Sequence, residues 1–155
     1  MSTLTDAIRS GHLETVKQIL DDSPDRVHEL DERGFAPIIL AAYNDRYEIV
    51  ELLLQKGADI NVKDAAGNTA LMGVSFKGHV DIAELLLEHN ADINAQNKKG
   101  ATAAIYAVMF SKKEILELLL KHGADLSIKD DSGMNAVEHA QKNNDTVIAE
   151  VLLFG

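Results

Sequence analysis

The sequence predicts an all-α solenoid, a stack of helix-turn-helix units joined by β-hairpin loops. Three observations carry that expectation. Glycine falls at Gly34, Gly67, Gly100 and Gly133, a step of 33 residues each time, and a fixed period of that length marks one small unit copied and stacked. Two residues after each glycine stand Ala36-Pro37, Thr69-Ala70, Thr102-Ala103 and Asn135-Ala136, a helix start at the same place in every copy. Further on, Glu51-Leu52-Leu53-Leu54, Glu84-Leu85-Leu86-Leu87 and Glu117-Leu118-Leu119-Leu120 follow Ile49, Ile82 and Ile115, so apolar positions recur at helical spacing.

In chain order the unit begins with a polar tetrad: Asp31-Glu32-Arg33-Gly34, Asp64-Ala65-Ala66-Gly67, Asn97-Lys98-Lys99-Gly100 or Asp130-Asp131-Ser132-Gly133. This is the composition of a tight turn whose glycine takes a positive φ, and it reads as a hairpin tip. The first helix follows, with Thr69, Thr102 and Asn135 offering a side-chain oxygen as N-cap and Pro37 suited to the first helical position. The Ile and Leu run is the second helix. Gly57, Asn90 and Gly123 close it in the left-handed conformation, and Ala58-Asp59-Ile60-Asn61 and its copies lead to the next tip.

With those residues in one frame, the sequence resembles the ankyrin repeat family, whose unit is a β-turn and two antiparallel helices carrying a T-P-L-H-x-A motif. The pairs Gly11-His12 and Gly78-His79 and the runs Gly57-Ala58-Asp59 and Gly123-Ala124-Asp125 look like further landmarks of that family. Where the family has the motif His, this chain has Ile39, Met72, Ile105 and Glu138, so apolar packing is expected in place of a polar brace. Gly73 falls inside a first helix, where glycine costs about 1 kcal/mol against alanine, and that helix is expected to be the softest element.

The frame divides the chain into a capping repeat at 1–30, inner repeats at 31–63, 64–96 and 97–129, and a capping repeat at 130–155. A repeat at the edge of a stack needs a polar outer face. Gln18 in the first repeat and Glu138-His139-Ala140-Gln141-Lys142 in the last meet that need, and one extra residue enters the first repeat near Ser23-Pro24. Five repeats are then expected to fill the 155 residues, without room for another domain.

Composition narrows the function classes. Hydrophobic residues at 46% suffice for a core shared along the stack, and the absence of cysteine excludes disulfides, cysteine-ligated metals and cysteine nucleophiles. No apolar run approaches the roughly 20 residues of a membrane span, and Met1-Ser2-Thr3-Leu4-Thr5-Asp6 lacks the basic end and apolar centre of a secretory signal. A cytoplasmic, monomeric protein without membrane association is expected. A net charge of -10 argues against nucleic-acid binding, which draws its affinity from Lys and Arg on phosphates. Only residues 97–129 are basic, with six Lys against three acidic groups. Lys98 and Lys99, at a tip, are either ordinary solvated lysines or a patch that steers an acidic partner.

Catalysis is not expected. His12 and His79 stand at the turn between helices, structural in the family, while His89 and His122 end successive second helices, where a protonated imidazole suits the helix dipole. Stacked backbones about 10 Å apart hold no shared metal without third and fourth ligands. Neither a nucleophile elbow nor a phosphate loop is present. No cofactor and no metal are expected.

What remains is a surface. In the family the hairpin tips and the exposed side of the first helices line a concave face. On this chain it includes Arg33, Phe35, Tyr43, Phe76, Lys77, Lys98, Lys99, Ala101, Met109, Phe110 and Met134. Phe76 and Phe110 end successive first helices beside Tyr43 and Met109, and these side chains either tuck between repeats as core or form one apolar stripe. The Ile, Leu and Ala positions already supply a core, which favours the stripe. The chain is therefore expected to bind a protein or peptide through this face, as inhibitor or scaffold. Two alternatives stand beside it: a reader of small cationic ligands or modified lysine in an aromatic cage of Tyr43, Phe76 and Phe110, and a purely structural, self-associating subunit.

Overall fold

A computed structural model describes residues 3–154. Met1, Ser2 and Gly155, which the expected terminal repeats include, lie outside the described residues. Among the described residues ten α-helices stand in five pairs: α1 (Leu4–Ser10) with α2 (Leu13–Asp22), α3 (Pro37–Tyr43) with α4 (Tyr47–Gln55), α5 (Ala70–Lys77) with α6 (Val80–Glu88), α7 (Ala103–Met109) with α8 (Lys113–Lys121), and α9 (Ala136–Asn143) with α10 (Thr146–Phe154). The odd-numbered helices stack in one row and the even-numbered helices in a second, which is the expected solenoid.

The helix starts form as the side chains dictate. Thr69, Thr102 and Asn135 accept the amides of Met72, Ile105 and Glu138, and Pro37 opens α3. Glu138, which stands where the family has the motif His, accepts the Asn135 amide in turn and closes a capping box. Between the rows, Ile49, Ile82, Ile115 and Ile148 are almost wholly buried, as are Leu53, Leu86 and Leu119. Ile39, Met72 and Ile105 are buried as well, so apolar packing does replace the polar brace.

Each hairpin tip is organised by its first residue. One oxygen of Asp31, Asp64, Asn97 or Asp130 accepts the backbone amides two and four residues on, at 2.8–3.3 Å. The same residue's own amide donates to the carbonyl of Phe35, Asn68, Ala101 or Met134. This pins a hairpin too short for a strand to extend among the described residues. Neighbouring tips join through Lys98 N–H to the Ala66 carbonyl at 3.0 Å and Asp131 N–H to the Lys99 carbonyl at 2.9 Å. At those junctions only glycine fits: a Cβ on Gly67 (φ 81°) would stand 2.9 Å from the Lys98 nitrogen, and one on Gly100 (φ 74°) 3.1 Å from the Asp131 nitrogen.

Two features depart from expectation. The extra residue of the first repeat is absorbed by a ten-residue α2 and a short 3-10 turn at Pro24–His28. The last repeat is less polar outside than expected. Its α9 is polar, but α10 leaves Leu153 76% and Phe154 85% exposed.

Candidate concave binding face

The first helices end on one side of the stack, and there the aromatic side chains meet. Tyr43 and Phe76 occupy the same position in successive repeats and lie parallel, with centroids 6.4 Å apart. Phe110 meets Phe76 edge-on at 4.6 Å and Tyr106 at 6.1 Å. Tyr43, Phe76, Met109 and Phe110 are 43, 38, 40 and 42% exposed, so the two readings of these residues merge. Each ring packs on its neighbour with one part and keeps another part open to solvent. Aromatic pairs of this kind contribute about 0.5–1.5 kcal/mol beyond area burial.

The rings form a row rather than a box. Lys77 holds its own ammonium 5.0 Å from the Tyr43 centroid, so the ring nearest a would-be cage already has a cation against it. Arg33, Lys98 and Lys99 are exposed at the tips, and none of the three is in an ion pair among the described residues. Their backbones are fixed by the tip hydrogen bonds, which leaves the charged ends to solvent.

Three expected surface residues stand differently. Ala101 is buried, because its amide closes the Asn97 turn. Phe35 is half-buried, packed against the core beneath the first tip. Met134 is also half-buried, with its amide and carbonyl both spent on the Asp130 turn.

Other residues matter here that the sequence pattern did not single out. Nine residues after its tip residue, the fourth repeat has Tyr106 and the fifth His139. Asn97 Nδ2 donates to the Tyr106 hydroxyl at 2.7 Å and to Asn68 Oδ1 at 2.8 Å, while the His139 ring meets Asp130 at 2.7 Å. Burial alone would raise the Asp130 carboxyl. Hydrogen bonds from Ser132, His139 and the Met134 and Ser132 amides outweigh it and hold the group down to about 2. The signal was legible, since an Asx residue heads all four tetrads, but only the trailing glycines served as the ruler.

Two further histidines have structural places. His79 Nε2 reaches the Tyr43 carbonyl at 3.3 Å, the task that Arg46 performs one repeat earlier by donating to the Arg9 carbonyl at 2.6 Å. His89 Nδ1 turns back to the Leu85 carbonyl at the end of α6. Among the described residues no three His, Asp or Glu side chains gather in a way that could hold a metal ion, and no helix is long and apolar enough to cross a membrane.

A family model for ankyrin repeats in three copies matches residues 4–97 and again 71–155. The chain belongs to the ankyrin repeat family. Its curated ankyrin relatives include ankyrin repeat and SAM domain-containing protein 6 of Rattus norvegicus, 37% identical over 71 residues, which are 45% of this chain and 8% of that protein. The target of rapamycin complex 2 subunit AVO2 of Saccharomyces cerevisiae is 38% identical over 65 residues, covering 42% and 15%. The E3 ubiquitin-protein ligase XBAT32 of Arabidopsis thaliana is 38% identical over 71 residues, covering 44% and 14%. The ankyrin chain thus spans a small part of each of these relatives. Ankyrin repeats are in general protein-interaction modules, and that general role applies to this stack.

Proposed function

We propose that this ankyrin stack is a non-catalytic module that binds a protein or peptide across its concave face, centred on Phe76 and Phe110, and inhibits or scaffolds that partner. The observation that carries the reading is the continuous row Tyr43, Phe76 and Phe110, each ring more than a third exposed, across three successive repeats. Rings held in a fixed row lose little freedom on binding, and aromatic anchors dominate interface energetics. Arg33, Lys98 and Lys99 add exposed positive charge, unpaired among the described residues, at the hairpin tips of a chain of net charge -10, which suits acidic groups on a partner that reaches those tips. One relative is named as a subunit of target of rapamycin complex 2 and another as an E3 ubiquitin-protein ligase, names that fit a module working inside larger assemblies.

The test is capture of partners from the native cell with wild type, Phe76→Ala and Phe110→Ala. Loss of the same captured protein with both variants, at a stability cost below about 2 kcal/mol, supports the face. Undiminished capture with the double variant refutes it. Titration with trimethyllysine separates the cage reading, which requires saturable binding that Phe76→Ala removes.

A further inference from the structure

The junction between the first two tips differs from the others. The Asp64 tip is stitched to the Asn97 tip, and the Asn97 tip to the Asp130 tip, by backbone hydrogen bonds. Among the described residues no such bond joins the Asp31 tip to the Asp64 tip. Gly34 likewise stands open: a Cβ there would meet nothing within 4 Å, whereas Gly67 and Gly100 press on the next tip. At this junction lies a pocket of about 430 Å³, walled by Phe35, Leu40, Tyr43, Asn68 and Gly73.

The neighbouring repeats show what the pocket lacks. Nine residues after the tip residue, Tyr106 sets a ring against Asn97 and His139 sets a ring against Asp130. The same position after Asp64 is Gly73, which has no side chain to offer. The Tyr43 ring leans to 3.3 Å from where a Gly73 Cβ would stand, so it walls the pocket beside α5. One Asp64 oxygen is spent on the Ala66 and Asn68 amides. The second, counterpart of the Asp130 atom that meets His139, has no protein partner among the described residues. Asn68 Oδ1 is used by Asn97, while its amide nitrogen has no partner among the described residues.

We infer that this pocket is a specificity subsite for a tyrosine side chain of the bound partner, its hydroxyl donating to Asp64 and its ring lying where Gly73 leaves room. The inference rests on the concave-face reading and adds the residue type that this end of the face selects. A donor is required because a carboxylate only accepts. A ring is required because rings fill the equivalent place in the next two repeats. A neutral ring is favoured over imidazolium or ammonium because Arg33, in no ion pair among the described residues, also lines the pocket, and a guanidinium repels a cation yet stacks on a phenol; Arg9, the other arginine of the lining, is paired with Asp31 at 3.2 Å.

The test needs no knowledge of the partner. p-Cresol, 4-methylanisole and 4-methylimidazolium are titrated into the labelled protein while amide resonances are followed. p-Cresol is expected to shift Asp64, Asn68 and Gly73 saturably, with a Kd on the order of 1 mM. 4-Methylanisole, which keeps the ring and oxygen but has no donor, should bind roughly tenfold more weakly, the size of one hydrogen bond to a charged acceptor. Equal binding of the two, tighter binding of 4-methylimidazolium, or p-cresol shifts away from these three amides overturns the assignment.

Gly73→Tyr, built on the Asn97–Tyr106 precedent, should fill the pocket from within and weaken p-cresol at least tenfold with helix content unchanged. Retained binding in a folded variant overturns the proposal, and should that variant fail to fold, the comparison of probes on the native protein decides alone. Phe110→Ala, whose ring meets Phe76 and Tyr106 but not the pocket wall Tyr43, separates the two levels. It should abolish partner capture while leaving the p-cresol shifts intact, so a failed subsite and a failed binding face give different results.

Discussion

Asn97 is the place where the tip network is tested most sharply, because one side chain ties three elements together. Its Oδ1 accepts the Lys99 and Ala101 amides at 3.0 Å each, and its Nδ2 donates to Asn68 Oδ1 at 2.8 Å and to the Tyr106 hydroxyl at 2.7 Å. The residue is only 8% exposed, so water replaces these bonds only in part. Asn97→Ala removes all four. At about 1 kcal/mol net for each bond, with some recovery at the more exposed Lys99 amide and a further penalty for the buried Ala101 amide, the cost is about 3 kcal/mol. Asn97→Asp keeps the two amide acceptors, as Asp31, Asp64 and Asp130 do natively, and can still accept from Tyr106. It loses the donor to Asn68, for about 1 kcal/mol. Urea unfolding of wild type and both variants reads the difference directly. Amide exchange locates it, and protection should fall first in α7 and in the tips at 64–68 and 97–101. A cost below 1 kcal/mol for Asn97→Ala, or equal costs for the two substitutions, refutes the argument that the Asx side chain carries the coupling between repeats.

Other outcomes follow from the same geometry. The Asp130 carboxyl lies at about 2 against an ordinary 3.8. A depressed folded-state value gives stability that is complete above about pH 4 and lost as pH falls towards 2, worth up to about 2 kcal/mol for a side chain 11% exposed. Wild type and Asp130→Asn should therefore differ most at pH 5–7 and converge near pH 2 in thermal melts. Leu86→Ala, at a fully buried position, should cost about 2–5 kcal/mol, whereas Phe154→Ala, at 85% exposure, should cost less than about 0.5 kcal/mol by chemical denaturation. Gly73→Ala should stabilise by about 0.5 kcal/mol, since the helix-propensity gain of about 1 kcal/mol exceeds the cost of moving the half-exposed Tyr43 ring a few tenths of an ångström.

How much of this was legible in the chain depended on whether the cause was local. The tip glycines, the Thr and Asn caps and the Ile and Leu positions follow from backbone conformation and helical period, and each stands where the repeat frame placed it. The ring-to-tip bonds of Tyr106 and His139 form within one repeat, between residues nine apart, and were hidden because the glycines rather than the Asx heads served as the ruler. The half-burial of Phe35 depends on how the repeats pack on one another, which periodicity does not encode. The role of Gly73 was hidden for the same reason. Read in its own helix it is only a weak residue, and the Tyr43 ring that fills part of its space comes from the preceding repeat.

Comparison among the repeats themselves carries the functional argument further than any single residue does. Where the copies agree, at the Asx heads, the tip glycines and Ile49, Ile82, Ile115 and Ile148, the side chains build the frame. Where they differ most, the series Leu40, Gly73, Tyr106, His139 and Tyr43, Phe76, Met109, Lys142 run down one side of the first-helix row. On the proposed concave-face reading, the variation serves a partner rather than the frame. A partner lying across the first helices meets a different side chain at each step, an open pocket at Gly73 and filled positions at Tyr106 and His139. That asymmetry gives a repetitive surface a direction along which a partner can be read.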